Sequence, residues 1–182
     1  HRAYISGVED EDRQMGQLWR ELENSGLLAN SIVVIFSDHG EEFLEHGKTS
    51  HSDFFEHTAR VPLIVYHPKM TGGQRYGQLI SLVDVMPLIL DILEIPSPPQ
   101  AEGHAPWNRR AEYVIGQTLG WEYVTGHGWK LIRDRLGQER LYYLPTDPSE
   151  TKDLVAYTNR WVRSAYEDLR EARERMNLEQ AL

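Results

Sequence analysis

The densest chemistry in this sequence lies between Ser37 and His51, where Asp38-His39-Gly40-Glu41 is followed by Glu45-His46-Gly47, Lys48 and His51. A carboxylate and an imidazole side by side, Asp38 and His39, can face one cation, the acid supplying charge and the ring a neutral nitrogen. Two ligands do not complete a site, since a divalent ion takes about four donors or more, so the rest must come from elsewhere. The plain alternative is a turn in which Asp38 caps and His39 bonds a carbonyl. Four histidines in one polar segment, His39, His46, His51 and His57, weigh against a purely local role. Some of the four are nonetheless expected to be structural or solvent-facing.

The elements around this segment read as an α/β layer. Ile5, Val8, Met15, Leu18, Trp19 and Leu22 recur at helical spacing between Tyr4 and Ser25, and Gly26 stands where a helix stops. Ile32 to Phe36 is a continuous β-branched run, the pattern of a strand buried on both faces of a parallel sheet. Asp38 and His39 follow it directly, and in open α/β sheets ligands gather beyond the carboxyl ends of strands. Val61 to Tyr66 reads as a second strand with Pro62 near its start, where no ladder donor is lost. Residues 31–36 and 61–66 are thus expected as neighbouring or near-neighbouring strands of one mainly parallel sheet. Lys69 to Gln74 is a turn broken by Gly72-Gly73. Ser81 to Leu93 is helical, with Asp84 as cap and Pro87 in its first turn.

Pro96, Pro98 and Pro99 open a linker that reaches about Arg110, after which the pattern changes. Tyr113-Val114-Ile115, Tyr123-Val124, Trp129 to Ile132 and Leu141 to Leu144 are short strands between turns, the mark of a small antiparallel sheet. Leu154 to Met176 is a charged helix whose buried side is expected to carry Val155, Trp161, Val162, Tyr166 and Leu169. Two parts follow: residues 1–109 as α/β core, and residues 110–182 as an antiparallel subdomain with a long final helix.

Composition removes several function classes. The 182 residues are 40% hydrophobic, enough for a packed core, and carry 28 acidic against 19 basic side chains, a net charge of −9. That balance disfavours nucleic acid as a partner but leaves room for a local basic pocket that takes an anion. The absence of cysteine excludes disulfides and thiolate metal sites within the chain. No apolar stretch is long enough to span a bilayer. The sequence opens at His1 with no signal-peptide pattern, and is read as beginning at a domain boundary.

Four ordered blocks then carry a resemblance. Ser37-Asp38-His39-Gly40-Glu41 with Glu45-His46-Gly47 and Arg60-Val61-Pro62-Leu63 resembles the sulfatase family of the alkaline phosphatase superfamily. Tyr4, Val8, Asp12 and Gly16 resemble the helix before this strand, and Ser81 to Pro87 the helix after it. Leu141-Tyr142-Tyr143-Leu144 with Asp147-Pro148-Ser149-Glu150 and Asp153-Leu154 resembles the family's closing signature. The resemblance implies an alkaline-phosphatase-like fold, present in part.

It also implies that Asp38 and His39 are the second pair of metal ligands, where many members have Asp-Asn. His51, nine residues ahead of Arg60, falls where sulfatases place a Lys or His that contacts the substrate's anionic oxygens. Lys48 is the rival for that role, its plain alternative being a solvated loop lysine. The cation is expected to be Ca²⁺, with Mg²⁺, Mn²⁺ or Zn²⁺ as alternatives, and the substrate a small anionic ester.

The family's nucleophile is a Cys or Ser in Cys/Ser-x-Pro-x-Arg, oxidised to formylglycine, and is expected in an N-terminal segment outside this sequence. The partial match Ser97-Pro98-Pro99-Gln100-Ala101 ends in Ala and sits in the linker, and is read as coincidence. The expected function is the C-terminal portion of a metal-dependent sulfuric ester hydrolase, inactive alone. The alternatives are a phosphate or phosphonate monoester or phosphodiester hydrolase of the same superfamily, or a degenerate structural domain.

Overall fold

A computed structural model describes all residues except His1, Ser50, Ser52, Thr71, Leu119, Ala181 and Leu182. The chain forms two compact units, residues 1–37 with 62–75, and residues 38–61 with 76–182. The boundary expected at 109/110 falls inside the second of these.

In the first unit the amphipathic opening forms α1 (Arg2–Asn24). Gly26 ends it at φ 74°, a left-handed conformation that glycine enters without Cβ strain. A short 3-10 turn over Leu27–Asn30 leads into β1 (Val33–Phe36), which pairs with β2 (Leu63–Tyr66). The two strands are neighbours as expected but run antiparallel, a correction to the parallel direction read from their β-branched runs. Phe36 lies opposite Leu63, so the excursion through residues 37–62 leaves and re-enters at one end of the ribbon. A parallel partner would need that excursion to cross to the other end. A short apolar run reports burial tendency, not strand direction. Nor is the pair buried on both faces, since Phe36 and Ile64 are exposed.

The second unit begins with the histidine-rich segment, which contains one turn of helix, α2 (Glu56–Ala59). Residues Leu82–Asp84 form a 3-10 turn that runs into α3 (Val85–Ile92). Asp84 Oδ2 accepts the Ser81 amide at 2.9 Å in a capping box, and Asp84 Oδ1 accepts the His104 amide at 2.8 Å, tying the proline-rich linker back onto the helix start. Four antiparallel strands follow in sequence order: β3 (Tyr113–Thr118), β4 (Trp121–Gly126), β5 (Trp129–Arg133) and β6 (Glu139–Tyr143).

The final helix, α4 (Arg160–Gln180), starts six residues later than its apolar pattern suggests. Asp153 Oδ1 takes the Leu141 and Val155 amides at 3.0 and 2.9 Å, holding the preceding residues out of helix, and Asn159 Oδ1 caps by accepting the Val162 amide at 3.0 Å. One face of the sheet, through Val124, Trp129, Leu131 and Leu141, packs on Val162, Ala165, Leu169 and Ala172 of α4. The other face offers Ile132 and Tyr142 to Phe55 of the histidine-rich segment, with Trp121, Tyr123 and Leu144 around them. The alternation of β5 and β6 thus makes two cores, and the second holds the segment that carries the chemistry.

Candidate active site and metal centre

The turn at Asp38-His39-Gly40-Glu41 is fixed by close backbone contact. Gly40 donates its amide to Thr58 O at 2.8 Å. A Cβ at Gly40 would stand 1.9 Å from His57 O, so glycine alone lets the turn lie against α2. The next turn closes through the Leu44 amide to Lys48 O at 2.7 Å, with Leu44 at φ 76° and Gly47 at φ 80°. Glu42 Oε1 accepts the His46 amide at 2.5 Å, and a Glu45 carboxylate oxygen accepts the Phe43 amide.

On this frame His39 and His51 stack, ring centroids 4.0 Å apart and planes 20° from parallel. His39 Nδ1 lies 2.9 Å from Gly40 O. A carbonyl only accepts, so Nδ1 is the nitrogen that carries a proton toward Gly40 O. Asp38 Oδ2 is 3.7 Å from that Nε2, its side chain 84% exposed, while Oδ1 accepts the His39 amide at 3.0 Å. Asp38 therefore does accept a local amide and His39 does bond a carbonyl. These local bonds orient the pair on the turn. Glu41 Oε1 sits 3.1 Å from His51 Nδ1, and one donor atom each from His39, Glu41 and His51 falls within 4.8 Å of the other two. Carboxylate oxygen beside imidazole nitrogen on an accessible turn fits a divalent cation, with Asp38 and His39 able to hold it.

Lys48 is placed elsewhere. Its Nζ is 3.3 Å from Asp53 Oδ2 and 4.8 Å from the centre of the Trp121 ring. Asp53 is fully buried at its side chain and also accepts Thr58 Oγ1 at 3.2 Å. Burial and a hydrogen bond shared with Asp53 push the Glu42 carboxyl above its ordinary range. His46 lies flat on Phe55 at 3.5 Å with 9° between planes, its Nε2 buried and without a hydrogen-bond partner. Burial, then the neighbouring charge of His57, lowers its affinity for a proton below the ordinary value. His46 is thus a packed, neutral ring rather than a ligand.

Two features went unread in the sequence. Glu41 pairs with His51, although it stands directly after the Asp-His-Gly step. The other is a buried triad below the turn: Lys130 Nζ reaches Glu56 Oε1 at 2.8 Å and Glu150 Oε1 at 3.2 Å, while Glu150 Oε2 accepts the Glu56 amide at 2.5 Å. Both the Lys130 and Glu150 side chains are fully buried. The Asp147-Pro148-Ser149-Glu150 turn aims the carboxylate inward. Asp147 accepts the Thr151 and Lys152 amides at 3.0 and 2.9 Å, and Glu150 sits at φ 52°. A non-glycine residue in that region is held there by its surroundings. Glu150 thereby grips the start of α2, and α2 grips Gly40.

These features define a histidine- and carboxylate-rich turn on an α/β fold. The sequence model described as Sulfatase matches residues 1–95, and the chain belongs to the sulfatase family. Arylsulfatase K of Homo sapiens is 33% identical over 181 residues, covering 84% of this chain and 33% of that protein. An arylsulfatase of Clostridium perfringens is 28% identical over 169 residues, covering 84% of this chain and 35% of its own length. The chain therefore spans about a third of the curated relatives it matches.

Among solved structures, BT4656 in complex with its substrate D-glucosamine-2-N,6-O-disulfate aligns with a TM-score of 0.72 at 23% identity, over 91% of this chain and 37% of that one. BT1596, a 2-O GAG sulfatase, aligns with a TM-score of 0.66 at 24% identity, over 82% and 36%. The fold is of the alkaline-phosphatase-like α/β class, with the small antiparallel sheet and long last helix expected from the sequence.

Proposed function

We propose that this chain is the metal-dependent, substrate-contacting C-terminal portion of a sulfuric ester hydrolase acting on sulfated sugars. The observation that carries the reading is the 4.0 Å stack of His39 on His51, which joins the metal pair to the anion-contacting residue in one patch. Residues 1–109 are read as part of the catalytic core and residues 110–182 as its appended subdomain.

Asp38 and His39 would hold the cation, Ca²⁺ in the first instance. A bound divalent cation supplies positive charge to the transferred group's oxygens. His51 would donate a ring N–H to a sulfate ester oxygen or to the leaving oxygen, with Glu41 orienting the ring. Lys48, bound to Asp53, would support the loop electrostatically rather than touch substrate. No step is assigned to a formylglycine, because no complete Cys/Ser-x-Pro-x-Arg motif stands in this sequence.

The test compares a sulfate and a phosphate ester of one aryl alcohol as substrates of the full-length protein. The sulfate ester should be preferred by about a hundredfold or more in kcat/KM, and the 182-residue chain alone should hydrolyse neither above buffer. Preference for the phosphate ester would replace the reading with a phosphohydrolase of the same superfamily. Metal-dependent turnover by the chain alone would show that it is catalytically complete.

A further inference from the structure

We propose that the aromatic cavity between the β4–β5 hairpin and the first turns of α4 binds the quaternary ammonium group of a small solute. The proposal does not rest on the sulfatase reading. Trp129 and Leu169 at this cavity belong to the core on the α4 face of the sheet, whereas Phe55 of the histidine-rich segment packs on the other face. The two sites share no residue.

The hairpin shapes the cavity, which has a volume of about 170 Å³. Gly126 pairs with Trp129, so His127 and Gly128 alone make the turn, at φ 52° and 80°. Two left-handed residues follow the twist of the strands, and histidine is among the few side chains that enter that region readily. On β3, Tyr113 stands opposite Gly126, where a Cβ would meet Tyr113 Cδ1 at 2.3 Å. The missing side chain lets the Tyr113 ring lie over the strand, with His127 edge-on to it at 5.1 Å.

Two indoles complete the lining. Trp129 and Trp161 stand 4.5 Å apart between centroids, and Tyr143 braces Trp161 at 4.8 Å. Trp161 is held by two rings and is still 55% exposed. A large ring fixed in place, with surface open to a cavity, is preorganised for a ligand.

Charge decides which ligand. Asp168 lines the same cavity. Its helix neighbours one turn away are Ser164, Ala165, Glu171 and Ala172, so no cation on α4 stands at pairing distance along the helix. Tyr113 feels Asp168, Glu112 and Glu171 against Arg175, and burial followed by the Asp168 charge pushes its hydroxyl above the ordinary range. Ring faces and surplus negative charge together attract a cation. Indole and phenol faces are poor acceptors for N–H groups, which favours an ammonium whose hydrogens are replaced by methyl groups. A cavity of about 150 Å³ admits benzene, an outline close to that of tetramethylammonium.

Calorimetric titration of the 182-residue chain with tetramethylammonium chloride, against sodium chloride at equal ionic strength, tests the proposal. One ion should bind per chain, and tert-butanol, similar in outline but uncharged, should bind at least about fivefold more weakly. Trp161→Ala and Asp168→Asn should each weaken the ion by at least about fivefold. Tyr157→Ala, which removes an exposed ring outside the cavity, should change it by less than about twofold. Trp161 also supports Trp129, so circular dichroism follows each variant; Asp168 is exposed, and Asp168→Asn should keep the native spectrum. Failure of the ion to bind would overturn the proposal, as would equal binding of tert-butanol, which marks a cavity that sorts by size alone. Binding unchanged by both Trp161→Ala and Asp168→Asn would place the ion elsewhere and overturn it too. Phosphatidylcholine vesicles carry the same head group on a membrane and should not sediment the chain. Sedimentation that Asp168→Asn abolishes would overturn the assignment to a small solute.

Discussion

Two long helices of this chain carry similar apolar patterns and end in different states. In α4, Val162, Leu169 and Ala172 are at most 3% exposed, and Arg173 is buried against Glu139 at 2.8 Å. In α1, Ile5, Val8 and Leu18 stay 47–49% exposed and no described residue is buried. The difference lies in what each helix meets. The four-stranded sheet presents Val124, Leu131 and Leu141 to α4, whereas the unit holding α1 has only a two-stranded ribbon. Amphipathic spacing states what a helix is able to bury; a facing surface decides whether it does.

The sharpest way to break this contrast is at the buried triad of the second unit. Lys130→Met removes the only cation of the triad between Glu56 and Glu150 and should cost about 3–5 kcal/mol in urea denaturation at neutral pH. Burial already raises the Glu150 carboxyl above its ordinary range, against the pull of Lys130. The deficit should therefore shrink as pH falls and Glu150 takes up a proton. A loss below about 1 kcal/mol would mean that α2 is not held by this triad.

Leu169→Ala, in the α4 core at 1% exposure, should cost about 2–5 kcal/mol through lost burial and the cavity left behind.

His46 sharpens the comparison within the second unit. Its proton affinity is lowered in the folded chain, so the unfolded chain binds the proton more readily. Stability from this residue is present above the ordinary histidine value near 6.5 and is lost as pH falls through it. His46→Gln should flatten the pH dependence of the melting temperature in that window. An unchanged slope would contradict the neutral, stacked ring.

The smallest effect belongs to α1, where Leu18→Ala should stay within about 0.5 kcal/mol. A cost near that of Leu169→Ala would show the helix to be packed in solution.

Much of this was legible in the residues. The order of elements and the antiparallel C-terminal sheet follow from turn signals and alternation. Strand direction was not, because Ile32 to Phe36 reads alike in either orientation. The helix start at Arg160 was hidden by Asp153 and Asn159, whose side chains compete for backbone amides. Lys48 was ambiguous because its partner Asp53 is buried only once the loop has folded. The Lys130–Glu150 pair, twenty residues apart in sequence, offered no pattern at all. Charges in a strand and a turn read as surface until the sheet brings them together.

The account's central claim is that Asp38 and His51 serve one site in different ways, the first through the cation and the second through the substrate. Metal content and aryl sulfate turnover of the full-length protein carrying Asp38→Ala or His51→Ala test it most directly. The account predicts that Asp38→Ala loses bound metal and turnover together, while His51→Ala keeps its metal and loses about 10²–10⁴-fold in kcat. Full metal content and full turnover in Asp38→Ala would contradict it, as would a His51→Ala protein of unchanged rate.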